Sequence, residues 1–162
     1  MIRQAVCLIL TFLMWLLLTW SLEIWQVVVG LIFALLIAAF LSTYYPEGMT
    51  KMLNPVRWVW ALLYIPYFLY YCVKANVDVA YRVLHPDVPI RPGIVKVRTT
   101  LTSGMAQAFL ANSITLTPGT LCVDIVGQDL YIHWINVSTD DPARQTREIV
   151  GTFEPMLKRI FE

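Results

Sequence analysis

Ser113, Asp124 and His133 are the residues of this 162-residue chain whose types could act together as a hydrolytic set. A serine nucleophile needs an imidazole to take its proton and a carboxylate to orient that imidazole. Asp124 and His133 fall on two segments expected to pair as strands, so a triad can be drawn on paper. Triads are defined by geometry, however, and order along a chain does not supply it. Asp124 alternates away from Leu121, Val123 and Ile125, which is the pattern of a solvated strand face. The plain reading of the three is structural.

Other chemistries lack their residues. The seven glycines stand singly, with neither a G-x-G-x-x-G run nor a Gly-Lys-Ser/Thr step, so no phosphate-cradling loop is present. Cys7, Cys72 and Cys122 are odd in number and far apart, with no CxxC pair. His85 and His133 have no metal-ligand neighbour at useful spacing. Small buried hydrophobes are the expected role of the cysteines. No catalytic, cofactor-binding or metal-ligating residue is expected, and no cofactor. A net charge of +1 leaves no nucleic-acid footprint.

Ion transport needs Asp, Glu, Lys or His inside membrane spans. From residue 5 to residue 41 the sequence is almost wholly apolar, and its only charged side chain is Glu23. Glu23 divides the run into residues 5–22 and 24–41. At about 1.5 Å per residue each half reaches roughly 27 Å, close to a hydrocarbon core of about 30 Å. A transmembrane helical hairpin is expected, with Ser21-Leu22-Glu23 as its turn. There the carboxylate stays hydrated, and a relay role for it is the lesser alternative. Residues 1–22 begin like a signal peptide, but no Ala-x-Ala-like site precedes Glu23, so a retained anchor is expected. Gly30, Ala34 and Ala38 form a small-residue row suited to helix packing, lipid exposure being the alternative. Composition agrees with a membrane protein. Hydrophobic residues make up 58% and charged residues 14%, against about 45–50% and 25% in soluble domains.

Beyond the hairpin, residues 42–48 form an aromatic, turn-rich exit of the kind found at membrane interfaces. Residues 58–73 are apolar and rich in Tyr and Trp. With the amphipathic residues that follow, they predict one helix over about 55–84, ended by His85-Pro86. The positive-inside rule places the basic flanks on both sides of residues 58–73 in one compartment, which a third crossing would violate. Two spans plus an interfacial helix is therefore the reading, with three spans as the alternative. Residues 85–93 hold three prolines and predict an extended linker.

The remainder predicts a small domain. Strand 94–101 comes first, then helix 103–114, a turn at Thr117-Pro118-Gly119, and strands 120–126 and 130–137 joined by a three-residue connection. A final helix is capped by Asp140-Asp141-Pro142, and Pro155 is expected to kink or break it. The fold class is thus an α+β membrane protein of three parts. These are a hairpin over 1–45, a long aromatic interfacial helix with its linker over 46–93, and a β-α-β-β-α domain over 94–162.

The stretch Ala111-Asn-Ser-Ile-Thr-Leu-Thr-Pro-Gly-Thr-Leu-Cys-Val-Asp124, with Leu130-Tyr-Ile-His-Trp-Ile-Asn-Val137, carries a resemblance. So do Ala75-Asn-Val-Asp-Val-Ala80 and the strand over 94–101. In these the chain resembles the E-type subunit of the Mrp-type (Mnh, Pha) multisubunit cation/proton antiporters of bacteria. The resemblance implies an accessory subunit of a complex exchanging Na⁺ or K⁺ for H⁺. Its partners would be large multi-span antiporter-like subunits, small membrane subunits and the lipid bilayer. Its place would be the inner (plasma) membrane, multi-pass, with the C-terminal domain cytoplasmic. Asn112, Ser113, Thr115, Thr117, Pro118, Gly119 and Thr120 match the family motif and are expected to be structural or docking residues, capping the helix before them. The competing readings are a membrane-tethered α/β enzyme using Ser113, Asp124 and His133, and a scaffold module with no transport partner.

Overall fold

The computed structural model describes residues 2–41 and 54–162. The chain divides into two compact units, Met1–Leu53 and Asn54–Glu162. The aromatic exit over 42–48 and Lys51 lie outside the described residues.

In the first unit, α1 (Ile2–Thr19) packs against α2 (Ile24–Leu41), each 18 residues long. The second helix has the expected bounds, whereas the first ends three residues before the expected 22. Trp20 closes it with φ 48°, an uncommon conformation for a bulky residue. In the connector the Glu23 N–H donates to Ser21 Oγ at 3.3 Å, and the Glu23 carbonyl accepts from Val27 N at 3.0 Å. Small side chains line the contact between the two helices. Cys7 and Ala34 are fully buried and Ala38 nearly so. Gly30 takes the Trp15 ring against its backbone, where a Cβ would lie 2.3 Å from Trp15 Cδ1. The ring is further fixed by its N–H donating to the Gln26 carbonyl at 3.0 Å and by stacking on Phe33, centroids 5.7 Å apart.

The second unit opens with α3 (Pro55–Leu84), 30 residues, or about 45 Å. Asn54 caps it by accepting from Val56 N at 3.0 Å, Pro55 occupies the first turn, and Pro66 does not interrupt it. Among the described helices α3 is the one long and apolar enough to cross a membrane by length and composition; the apolar segments Gln4–Thr19 and Ile24–Phe40 are shorter. After α3 come β1 (Gly93–Arg98), α4 (Gly104–Leu116), β2 (Thr120–Val126), β3 (Asp129–Trp134) and α5 (Pro142–Phe161). The three strands form an antiparallel sheet in the order β1-β3-β2. Val95 faces Ile132 and Val97 faces Leu130 across β1 and β3, and all four are buried. That row, with Leu101, Leu110, Ile114, Val150 and Leu157 from the helical side, makes the core.

Several expectations are corrected here. The residues over 85–93, expected as an extended linker, are tied down by hydrogen bonds along their length. Val88 N bonds the His85 carbonyl at 3.0 Å, Arg82 Nη1 donates to the Pro89 carbonyl at 2.8 Å, and Val137 N to the Arg91 carbonyl at 2.8 Å. Strand β1 stops at Arg98, because the Thr99 and Thr100 hydroxyls and the Thr100 N–H turn to Glu154. The hairpin turn is Gly127-Gln128, with Gly127 at φ 64° as a tight turn requires, and β3 ends at Trp134. Helix α5 runs unbroken for 20 residues through Pro155. Its buried stripe, Ile149, Val150, Phe153, Leu157 and Ile160, continues on both sides of the proline, and that burial outweighs one missing hydrogen bond. Helix α3 and the residues over 94–162 pack within the one compact unit Asn54–Glu162.

Candidate functional site

The polar motif sits where α4 ends. A helix leaves its last carbonyls without partners, and here side chains reach them. Thr117 Oγ1 donates to the Ser113 carbonyl at 2.7 Å, and Thr120 Oγ1 to the Ile114 carbonyl at 2.7 Å and the Thr117 carbonyl at 3.0 Å. Thr115 Oγ1 accepts from Cys122 N at 3.1 Å, tying the helix to β2. Gly119 turns the chain at φ 91°, and a Cβ there would lie 3.0 Å from Ile135 Cγ2 and 3.3 Å from Val79 Cγ2. Asn112 is exposed.

Two of these residues lead to α3. The buried Ser113 hydroxyl donates to the Phe109 carbonyl at 2.7 Å, so it accepts from Tyr64 OH at 2.6 Å. Val79 packs over Gly119. The same seam continues along α5. Arg57 Nη1 and Nη2 donate to the carbonyls of Ile160 and Glu162 at 2.8 and 2.9 Å, satisfying the end of that helix. The Arg159 guanidinium lies 4.3 Å from the centre of the Trp60 ring, Tyr67 OH donates to the Thr152 carbonyl at 2.7 Å, and Phe153 takes Tyr64, Phe68 and Tyr71 around its ring. Residues 57, 60, 64, 67, 71, 75, 79 and 82 are half-buried, a helical row along nearly the whole of α3. The opposite face stays apolar and exposed, with Leu62, Leu69, Val73, Val77 and Leu84 in line.

Near the C-terminal half of α3 the seam opens into a cleft of about 330 Å³, lined among others by Tyr71, Lys74, Asp78, Trp134, Glu148 and Phe153. Arg82 holds the Asp78 carboxylate through two bonds of 2.8 and 3.0 Å. Glu148 Oε2 accepts from Ser138 Oγ at 2.7 Å. Pro118 and Thr117 form part of the same wall.

Two carboxylates that no sequence motif singles out close the domain. Glu154 accepts from the Thr99 hydroxyl at 2.7 Å, from Thr100 N and from the Thr100 hydroxyl. Glu162 accepts from Thr102 N at 2.6 Å and Ser103 N at 3.2 Å, so it sits at the N-terminus of α4. Burial pushes the Glu162 carboxyl up, but the N–H donors of Thr102 and Ser103, the Thr102 hydroxyl and the Lys158 charge outweigh it and hold the pKa below its ordinary 4.5. The only signal of such a contact is an acid on the polar flank of an amphipathic helix, which most surface acids share.

Ser113, Asp124 and His133 are not brought together. Ser113 is committed to Tyr64 and Phe109, whereas His133 is exposed on a strand whose alternate residues Leu130 and Ile132 face the core. Asp124 Oδ1 accepts from Ile125 N at 2.8 Å. Among the described residues no group of three or more His, Cys, Asp or Glu could hold a metal ion. Gly30, Ala34 and Ala38 lie together on the buried face of α2 in the other unit.

Comparison with known proteins gives consistent matches. The MNHE family, described as Na+/H+ ion antiporter subunit, matches residues 8–160. The E-type Na(+)/H(+) antiporter subunit of Alkalihalophilus pseudofirmus is 37% identical over 100 residues, which are 61% of this chain and 63% of that one. The E1-type Na(+)/H(+) antiporter subunit of Staphylococcus epidermidis is 30% identical over 161 residues, 98% of each chain. A chain in the structure of the membrane-bound sulfane sulfur reductase (MBS), an archaeal respiratory membrane complex, superposes with a TM-score of 0.80. It is 42% identical, over 98% of this chain and 99% of that one.

Proposed function

This chain belongs to the MNHE family of Na+/H+ antiporter subunits, and from that premise we propose that it is an accessory subunit of a multisubunit cation/proton antiporter complex. It anchors and bridges other subunits in the membrane and does not itself conduct ions. The observation that carries this reading is the two-sided helix α3. One face is occupied by the α/β domain from Arg57 to Val79, and the other offers an exposed apolar stripe. Such an element fastens a water-facing domain to a membrane surface. The hairpin supports the same role, since between residues 5 and 41 only Glu23 is charged and it lies in the connector.

The topology that follows is two membrane crossings by α1 and α2, an interfacial α3, and the α/β domain on the cytoplasmic face of the cell membrane. Length and composition alone would allow α3 to cross. Against that stands the companion helix α5. If α3 crossed the bilayer, Arg144, Arg147, Lys158 and Arg159, all exposed or half-buried, would enter lipid with it. Each such charge costs about 2.5–3.5 kcal/mol at the bilayer centre on insertion scales. Lying in the interface, α3 keeps them in water and still covers its apolar stripe.

Affinity purification of the full chain from its own membranes, with mass spectrometry, tests the assignment. Large multi-span antiporter-like proteins are expected to accompany it; recovery of the chain alone would end the complex reading. A second reading is favoured by the MBS match, which covers nearly all of both chains at 42% identity. In it, the antiporter-type module belongs to a respiratory complex. Redox subunits in the same purification would select that version.

A further inference from the structure

We propose that the cleft beside α3 holds the headgroup of an ammonium-bearing phospholipid of the phosphatidylethanolamine type, and so seats the subunit on a particular lipid. The proposal rests on the interfacial reading of α3. Three observations carry it.

The first is charge. Lys74 has no ion-pair partner among the described residues; its Nζ lies 5.9 Å from the Tyr71 ring centre. Glu148 uses Oε2 for Ser138 and has no bonded partner at Oε1 among the described residues. Asp78 is already neutralised by Arg82. The cleft thus offers one open cationic group and one open anionic oxygen, which suits a zwitterion better than an ion of either sign. The second is lining. Tyr71 and Trp134, both half-buried, supply aromatic surface beside Glu148, and aromatic faces with a carboxylate favour an ammonium. Lys74 is left for the phosphate.

The third is position. On α3, Lys74 and Asp78 stand on the flank between the domain-facing row and the outward apolar stripe, one turn apart. A lipid with its acyl chains beside Val73 and Val77 therefore reaches the cleft with its headgroup. A volume of about 330 Å³ admits a headgroup, and it lies at the small end of ligand pockets, which start near roughly 300 Å³. A free zwitterion such as phosphoethanolamine would share the polar contacts and lack the apolar ones.

The test uses the full chain reconstituted in vesicles of phosphatidylcholine, phosphatidylglycerol and phosphatidylethanolamine, extracted gently and weighed by native mass spectrometry. Preferential retention of phosphatidylethanolamine is expected. Lys74→Gln and Glu148→Gln should each reduce it by about tenfold, the factor corresponding to a lost charged contact of about 1.4 kcal/mol. Circular dichroism should show both variants folded, and Asn112→Ala, outside the cleft, should retain the lipid as wild type does. Equal retention of the three lipids, or unchanged retention in both variants, would overturn the proposal. Displacement by free phosphoethanolamine as effective as by the lipid would overturn the lipid source. A peptide of a co-purified subunit cross-linked to position 74 would replace the lipid by a protein. The interfacial reading is checked separately in sealed vesicles by Val77→Cys in a chain whose free Cys7, Cys72 and Cys122 are replaced by Ala. Protection of Val77→Cys and Leu62→Cys from a water-soluble maleimide, combined with a cytoplasmic reporter fused after Glu162, supports it; labelling of Val77→Cys, or a reporter on the outer side, removes it whatever the lipid result.

Discussion

Single side chains decide the two tightest contacts in this chain. Gly30 exists where Trp15 needs space, so Gly30→Val would force the ring out of its bond to the Gln26 carbonyl. A loss of about 1–3 kcal/mol is expected, read as lower thermal stability of the detergent-solubilised chain, while Gly151→Ala, facing open contact at 3.7 Å, should cost far less. Glu162 carries a pH signature. Its pKa is depressed on folding, so its contribution is complete above the unfolded value near 4.5 and is lost as pH falls through the folded value. Wild type should therefore melt above Glu162→Gln at neutral pH, and the gap should close in acid. A gap independent of pH would remove the carboxylate from the account. Neither contact was fully legible in the sequence. The row Gly30-Ala34-Ala38 was visible as spacing, but the Trp15 ring that fills it was not, because periodicity does not name a partner on another helix. The bond from Glu162 to the start of α4 joins residues far apart in the chain and leaves no local pattern.

At the scale of elements, the seam along α3 and α5 holds the second unit together. Phe153→Ala removes the ring on which Tyr64, Phe68 and Tyr71 converge, and about 3–5 kcal/mol should be lost. Tyr64→Phe deletes one bond to Ser113 yet leaves that hydroxyl bonded to Phe109, so only about 0.5–1.5 kcal/mol is expected. Denaturant unfolding of the purified chain separates the two cases; equal losses would mean that the hydrogen bond, and not the aromatic cluster, carries the seam. Much of this element was readable beforehand. Asn54-Pro55 and His85-Pro86 mark its ends, and Asp141-Pro142 marks the start of α5, because capping and proline chemistry are local. Its partner was not readable. Tyr and Trp on a long apolar helix look the same whether they meet headgroups or a neighbouring helix, and here one face meets α4 and α5 while the other stays bare. Sequence rules likewise overrated Pro155, whose local cost is overridden by burial on both sides.

At the scale of the whole molecule, membership of the MNHE family agrees with a chain that provides apolar surface and no buried charge along its hairpin. A reporter fused after Glu162 should be active in the cytoplasm; activity outside would favour three crossings. The central claim is that this subunit supports exchange without carrying the ions, and Glu23 tests it most directly, being the one charged residue between residues 5 and 41. The measurement is the cation/proton exchange rate per assembled complex in sealed membrane vesicles, wild type against Glu23→Gln. An accessory role predicts the same rate in both. Loss of exchange with the complex fully assembled would contradict it and place this chain on the ion path.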